Sequence, residues 1–199
     1  MNEARAVLVV NAQARQGDEL FEHARAALAQ AGVHLAAAHP LHDPDALRPV
    51  LRDELARGAT HLIVGGGDGT LSCAAGLVAG SAAVMSILPL GTANDFARSL
   101  HVPRELEAAC RVAAHGAVRE VDVALALRQA RGERTLSAGR PFLNAASFGV
   151  SSGLARRLAG GELKKRAGPL AYPAAAAAEA AAHQPFRLRL DADGERAEL

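Results

Sequence analysis

Two glycine-bearing loops hold the residues of this chain whose types and spacing could do chemistry. The first is Gly65-Gly66-Gly67-Asp68-Gly69-Thr70, directly after the apolar run 60–64. The second is Gly91-Thr92-Ala93-Asn94-Asp95, which also follows an apolar run, 84–88. Only glycine lets several backbone N–H groups turn toward one anion with no side chain in the way. Asp68 sets a carboxylate among those glycines. Thr92, Asn94 and Asp95 add a hydroxyl, an amide and a second carboxylate. Phosphoryl transfer needs that combination, because its catalysis is mostly positioning and charge stabilisation.

Neither loop fits the commonest phosphate motifs. No Gly-Lys-Ser/Thr follows the first loop, so it is not a Walker A loop. It does not complete the dinucleotide fingerprint either, because Thr70 stands where the third glycine should be. A plain strand-to-helix turn would also favour small residues, but it has no use for an Asp between glycines. The second loop could be a helix start, capped by Thr92 or Asn94. Capping and anion binding use the same N–H groups, so the two roles are compatible.

The elements around the loops alternate. Residues 6–10 predict a strand and 11–17 its following loop. Asp18 starts a predicted helix running to Ala31, with Gly32 as its stop. Strands are predicted over 33–38, 60–64 and 84–88, and helices over 44–57, 70–78 and 105–115. Gly91 to Leu100 reads as a loop running into a helix. Alternation of this kind implies a parallel sheet covered by helices on its faces. After Gly116 the rhythm changes. Residues 119–127 and 141–148 are strand-like, with a polar stretch and a hairpin turn between them. Residues 173–182 predict a helix with Pro173 tolerated in its first turn. Asp191-Ala192-Asp193-Gly194 reads as a hairpin turn. The expected organisation is an α/β domain over 1–118 and the start of a second, β-rich domain over 119–199.

Composition narrows the class. The chain has 199 residues, half of them hydrophobic, so a packed core is within reach. Net charge is +1 and aromatics are 3%, with no Trp, which argues against a nucleic-acid partner. Cys73 and Cys110 fit no metal spacing and no disulfide framework, so a reducing, cytoplasmic setting is expected. The eight histidines show no pair at ligand spacing. The first residues do not resemble a secretion signal, and no stretch approaches the roughly 20 apolar residues that span a bilayer.

Gly66-Gly67-Asp68-Gly69-Thr70 followed by Leu88-Pro89-Leu90-Gly91-Thr92-Ala93-Asn94-Asp95-Phe96-Ala97 resembles the diacylglycerol kinase catalytic domain. The likeness is to the bacterial lipid kinases of the diacylglycerol and phosphatidylglycerol type. It continues through Glu120-Val121-Asp122-Val123, residues 142–149 and Gly168-Pro169-Leu170-Ala171-Tyr172. Sphingosine, ceramide and NAD kinases share the first motif, but NAD kinases lack the second.

The resemblance implies a Rossmann-like three-layer nucleotide domain followed by an antiparallel β-sandwich, here incomplete, with the site in the cleft between them. It implies ATP and Mg2+ as cofactors and a membrane lipid as acceptor. Gly66, Gly67, Asp68, Gly69 and Thr70, continued by Leu71 and Ser72, would surround the ATP phosphates and magnesium. Asn11 in the first loop, Thr92, Asn94 and Asp95 would complete the nucleotide site. Asp68 and Asp122 would be the acidic residues of catalysis, with Asp122 orienting metal-bound water. No residue is assigned as a direct metal ligand.

Three departures from the family pattern stand out. Ala12 replaces a usual Pro, with Arg15 near the usual basic position. Ser72 and Cys73 replace a usual Asn-Glu. The family's Asp-Gly-Glu motif, which supplies the general base, is expected beyond Leu199, so the chain alone is expected to be nearly inactive. Asp193-Gly194-Glu195 imitates that motif, but its place fits a hairpin turn better. Arg156, Arg157, Lys164, Lys165 and Arg166 form a basic segment that suits anionic lipid headgroups or a solvated loop equally. Peripheral contact with the inner membrane face and a homodimer are both compatible with this picture. The alternative is a nucleotide-binding remnant without catalysis.

Overall fold

The computed structural model describes residues 5–13, 17–127, 139–145, 152–154, 171–182, 189–192 and 194–198. The chain divides into two compact units, Met1–Ala145 and Ala146–Leu199.

The first unit is built on a four-stranded parallel sheet. Its strands are β1 (Ala6–Asn11), β2 (Leu35–Leu41), β3 (His61–Gly66) and β4 (Val84–Pro89), in the spatial order β2-β1-β3-β4. Val7, Leu8, Val9 and Val10 of β1 are all fully buried, as a central strand covered on both faces requires. Alternate residues feed opposite layers. Val7, Val9, Leu62 and Val64 pack toward α2 (Leu47–Ala56) and α3 (Asp68–Val78), through Leu51, Leu71 and Ala74. Leu8, Val10, Ile63 and Leu88 pack toward α1 (Gly17–Gln30) and α5 (Leu106–His115), through Phe21, Leu28 and Ala109. The short α4 (Asp95–Ser99) adds Phe96 and Ala97 to the first layer.

Several boundaries depart from the predicted ones. Strand β2 runs to Leu41 rather than ending at residue 38, and it contains Pro40. β2 pairs only with β1, so Pro40 sits in an edge strand, where the missing N–H costs no sheet bond on the open side. Helix α3 begins at Asp68, two residues before the predicted start, because Gly67 is already an extended N-cap (φ −89°, ψ −179°). The predicted helix over 44–57 opens with a 3-10 turn, Pro44–Ala46, where Asp45 N donates to Asp43 Oδ1 at 2.9 Å. Gly58, at φ +85°, then ends α2 in the left-handed conformation that glycine adopts without strain.

After α5 the pairing changes from parallel to antiparallel. β5 (Ala124–Ala126) and β6 (Arg140–Phe142) pair with each other. β5 is shorter than the predicted 119–127. β6 lies on α3, and a Cβ added at Gly76 would stand 2.3 Å from Pro141 Cγ, so only glycine admits this approach. The second unit contains α6 (Ala171–Ala182) and an antiparallel hairpin, β7 (Arg189–Ala192) with β8 (Glu195–Glu198). Pro173 falls in the first turn of α6, as predicted. Ala192 pairs with Glu195, and Gly194 between them holds φ +85°. Asp193 and the basic segment 156–166 lie outside the described residues, as do residues 128–138 and 146–149 of the expected second domain.

Candidate phosphate site at the carboxyl edge of the sheet

The sheet order creates the site. After β1 the chain moves to β2 on one side, and after β3 it moves to β4 on the other. The connections therefore diverge above the carboxyl ends of β1 and β3, leaving a crevice where open α/β sheets bind ligands. Asn11 ends β1, the glycine run ends β3, and Pro89 ends β4, all at that edge.

The two loops touch. Leu90 N donates to Gly66 O at 3.1 Å. A Cβ added at Gly91 would lie 2.4 Å from Gly67 Cα and 2.7 Å from Asn94 Oδ1, so the backbones can approach only because both sides are bare. Asp68 Oδ1 accepts from Phe96 N at 3.1 Å, which ties the first turn of α3 to that of α4. Asn11 Nδ2 donates to Thr70 Oγ1 at 3.2 Å, joining the end of β1 to the same turn. Asn11 Oδ1 meanwhile accepts from Gln13 N.

The start of α3 is open to an anion. No side chain caps it, and the first helical bond runs from Leu71 N to Gly67 O at 3.0 Å. The N–H groups of Asp68, Gly69 and Thr70 precede that bond and so lack helical acceptors. Gly69 is exposed, and a Cβ placed on it would meet nothing within 4 Å. Donors, a favourable helix dipole and free space coincide at this edge.

The remaining predicted residues fall into distinct places. Leu71 is fully buried and anchors α3 to the core, with its N–H already engaged. Ser72 is half-buried one turn into α3. Asn94 is 2% exposed and its amide holds the loop together. Its Oδ1 accepts from Gly91 N at 2.9 Å, and its Nδ2 donates to Pro89 O and Gly91 O at 3.1 and 2.8 Å. It also adopts the left-handed conformation (φ 52°), which Asn tolerates better than most residues. Asn94 therefore shapes the loop from within. Thr92 and Asp95 are exposed, and Asp95 pairs with Arg98. Asp122 is exposed just before β5, and among the described residues no hydrogen bond or ion pair joins it to either loop.

Sequence reasoning missed a second polar cluster beneath α2. Glu54 is 2% exposed and faces Arg5, His39 and Arg57. Arg5 Nη2 lies 2.7 Å from Oε2 as an ion pair, and Arg57 Nη1 donates to Oε1 at 2.9 Å. Burial pushes the carboxyl up, but the side chains of Arg5, His39 and Arg57 outweigh it and hold Glu54 below its ordinary range. The sequence signal was faint: Glu54 occupies a core-facing position of the amphipathic α2, three residues after Leu51.

A parallel α/β sheet carries two bare loops at its carboxyl edge, one beside the switch point and one after β4, joined to each other. The diacylglycerol kinase catalytic domain matches residues 5–126. The chain is 37% identical over 174 residues to a Pseudomonas aeruginosa protein named "Probable lipid kinase YegS-like", covering 86% of this chain and 53% of that one. A protein of the same name from Chromohalobacter salexigens is 34% identical over 194 residues, covering 95% and 58%. A solved diacylglycerol kinase from Bacillus anthracis aligns over all of this chain and 62% of its own, at TM-score 0.66 and 25% identity. The chain belongs to the diacylglycerol kinase catalytic domain family. It spans rather more than half the length of these curated relatives.

Proposed function

We propose that this chain is the nucleotide-holding part of an ATP- and magnesium-dependent lipid kinase. The acceptor would be a hydroxyl of a diacylglycerol- or phosphatidylglycerol-like lipid. The observation that carries the proposal is the joined pair of loops, with open helix N–H groups beside Asp68. Membership of a family whose relatives are named lipid kinases supports it.

In this scheme the N–H groups of Gly67, Asp68, Gly69 and Thr70 bind phosphate oxygens. Asn11 orients the Thr70 hydroxyl toward the same place. Leu71 and Asn94 fix the two loops from below, so the donors need no reorganisation when charge develops. Thr92, Ser72 and Asp95 border the nucleotide. ATP supplies the phosphoryl group, and magnesium neutralises the charge that develops on it.

Among the described residues no three His, Cys, Asp or Glu side chains gather as a metal cage. A magnesium ion held mainly by phosphate oxygens and water asks for only one or two carboxylates. Asp68 has one oxygen on Phe96 N and can offer the other. Asp122 is proposed to act through metal-bound water, and the general base is proposed to lie outside residues 1–199. We place the domain boundary at 118/119, where pairing turns antiparallel, although Leu143 still packs against the first core. A lipid acceptor implies cytoplasmic placement with peripheral contact at the inner membrane face. No helix among the described residues is long and apolar enough to cross a membrane.

The test is an exchange. Residues 5–126 replace the corresponding segment of a lipid kinase with measurable turnover, and transfer from labelled ATP to a panel of glycerolipids is followed. Retained transfer, abolished by Asp68→Asn, is the expected result. A folded hybrid that binds no ATP and labels no lipid would overturn the proposal.

A further inference from the structure

On the side where α4 ends, a cavity of about 320 Å3 is lined by Ala93, Asn94, Ala97, Arg98, His101, Val102 and Arg104. Its apolar floor is Ala97 and Val102, and its polar rim carries two guanidiniums and an imidazole. Arg98 gives one donor to Asp95, and Arg104 Nη2 reaches Thr92 O at a long 3.5 Å. Each guanidinium carries five N–H donors in a fork that matches phosphate geometry, so most remain available. His101 holds φ +58°, a left-handed conformation unusual for a residue other than glycine. It is the residue that closes α4: His101 N donates to Arg98 O and Val102 N to Ala97 O, a helix ending that calls for a left-handed residue.

We propose that this cavity is a second anion site, for a phosphomonoester, beside the loop proposed to border the nucleotide. Its size suits one phosphate group with a small organic portion. Two sources share that chemistry: the headgroup of a lipid such as phosphatidic acid, and a soluble phosphate. Arg104 links the cavity to that loop through Thr92 O. Closing on an anion would draw it from Thr92 O, and Thr92 lies in the loop proposed to border the nucleotide. The site stands on its own residues and does not require the ATP assignment.

The experiment uses the intact chain, with Arg98→Gln and Arg104→Gln together as the variant. Inorganic phosphate is titrated by calorimetry in the presence of saturating Mg·ATP. Flotation is measured with phosphatidylcholine vesicles with and without phosphatidic acid. The expected result is phosphate binding that persists under ATP and weakens at least about tenfold in the variant. Vesicle binding that needs both phosphatidic acid and the two arginines assigns the lipid source. Phosphate binding without vesicle binding assigns the soluble one. Phosphate binding that ATP abolishes, or that the variant leaves intact, overturns the proposal, as does binding of neither probe. Loss of ATP binding alone would defeat the proposed function and leave this site standing.

Discussion

Asp68 performs two separable tasks, one by geometry and one by charge. Its Oδ1 braces Phe96 N, while its negative charge stands beside the helix start. Asp68→Asn keeps an acceptor and removes the charge. Enzyme activity in the exchanged hybrid should fall by about 100-fold or more, with the thermal midpoint nearly unchanged. Asp68→Ala removes both and should also loosen the second loop.

The glycines make a sharper pair. Gly91→Ala puts a methyl 2.4 Å from Gly67 Cα and should cost about 1–3 kcal/mol in denaturant unfolding. Gly69→Ala meets nothing within 4 Å and lies in a helix, so stability should hold or rise. If the open space above Gly69 belongs to phosphate, Gly69→Ala should nevertheless weaken Mg·ATP binding by about tenfold or more in calorimetry. A variant as stable as the native chain with undiminished affinity would detach Gly69 from the site.

The polar groups that hold the elements together predict the acid behaviour. Glu54 joins α2 to β2 through His39 and to the start of β1 through Arg5. Its pKa is lowered by folding, so its contribution is complete above the ordinary carboxylate value of about 4.3 and is lost as pH falls through the folded value. Glu54→Gln should cost about 1.5–3 kcal/mol at neutral pH and flatten the steepest acid loss. His61, at the start of β3, sits 2.8 Å from Ser86 Oγ. Burial lowers its pKa, so folding favours the neutral ring. That stability is complete above about pH 6.5 and is lost as pH falls below it. His61→Gln should remove this upper stage in urea titrations run across the range. Burial also raises the Cys110 thiol to about 11, so slow modification by thiol reagents is expected in the folded chain.

The same scale shows what the sequence could reveal. The run 62–64 and the glycines after it were legible because a buried parallel strand and a bare turn leave strong local signals. The extension of β2 through Pro40 was not legible, because whether a strand lies at an edge is decided by its neighbours. Asn94 was legible as a site residue but not in its role. Its composition allows ligand contact, and only the fold shows all of its amide hydrogens turned inward. Glu54 escaped notice because two of its three partners, Arg5 and His39, stand 49 and 15 residues away in sequence, and Arg57 alone reads as an ordinary helix-surface pair.

The order in which the strands are connected switches sides between β1 and β3. β1 and β3 are neighbours whose outgoing connections part; the first glycine loop ends β3 at that division, and the second follows β4 and touches the first. In the proposed function, short strands, tight turns and buried valines hold the N–H groups at the start of α3 in place. The most direct measurement is the change in backbone amide resonances of the chain when Mg·ATP is added. The largest shifts should fall on Gly67, Asp68, Gly69 and Thr70, with a second set on residues 91–95. Saturating Mg·ATP that leaves these amides unmoved, or moves only residues elsewhere, would contradict the central claim.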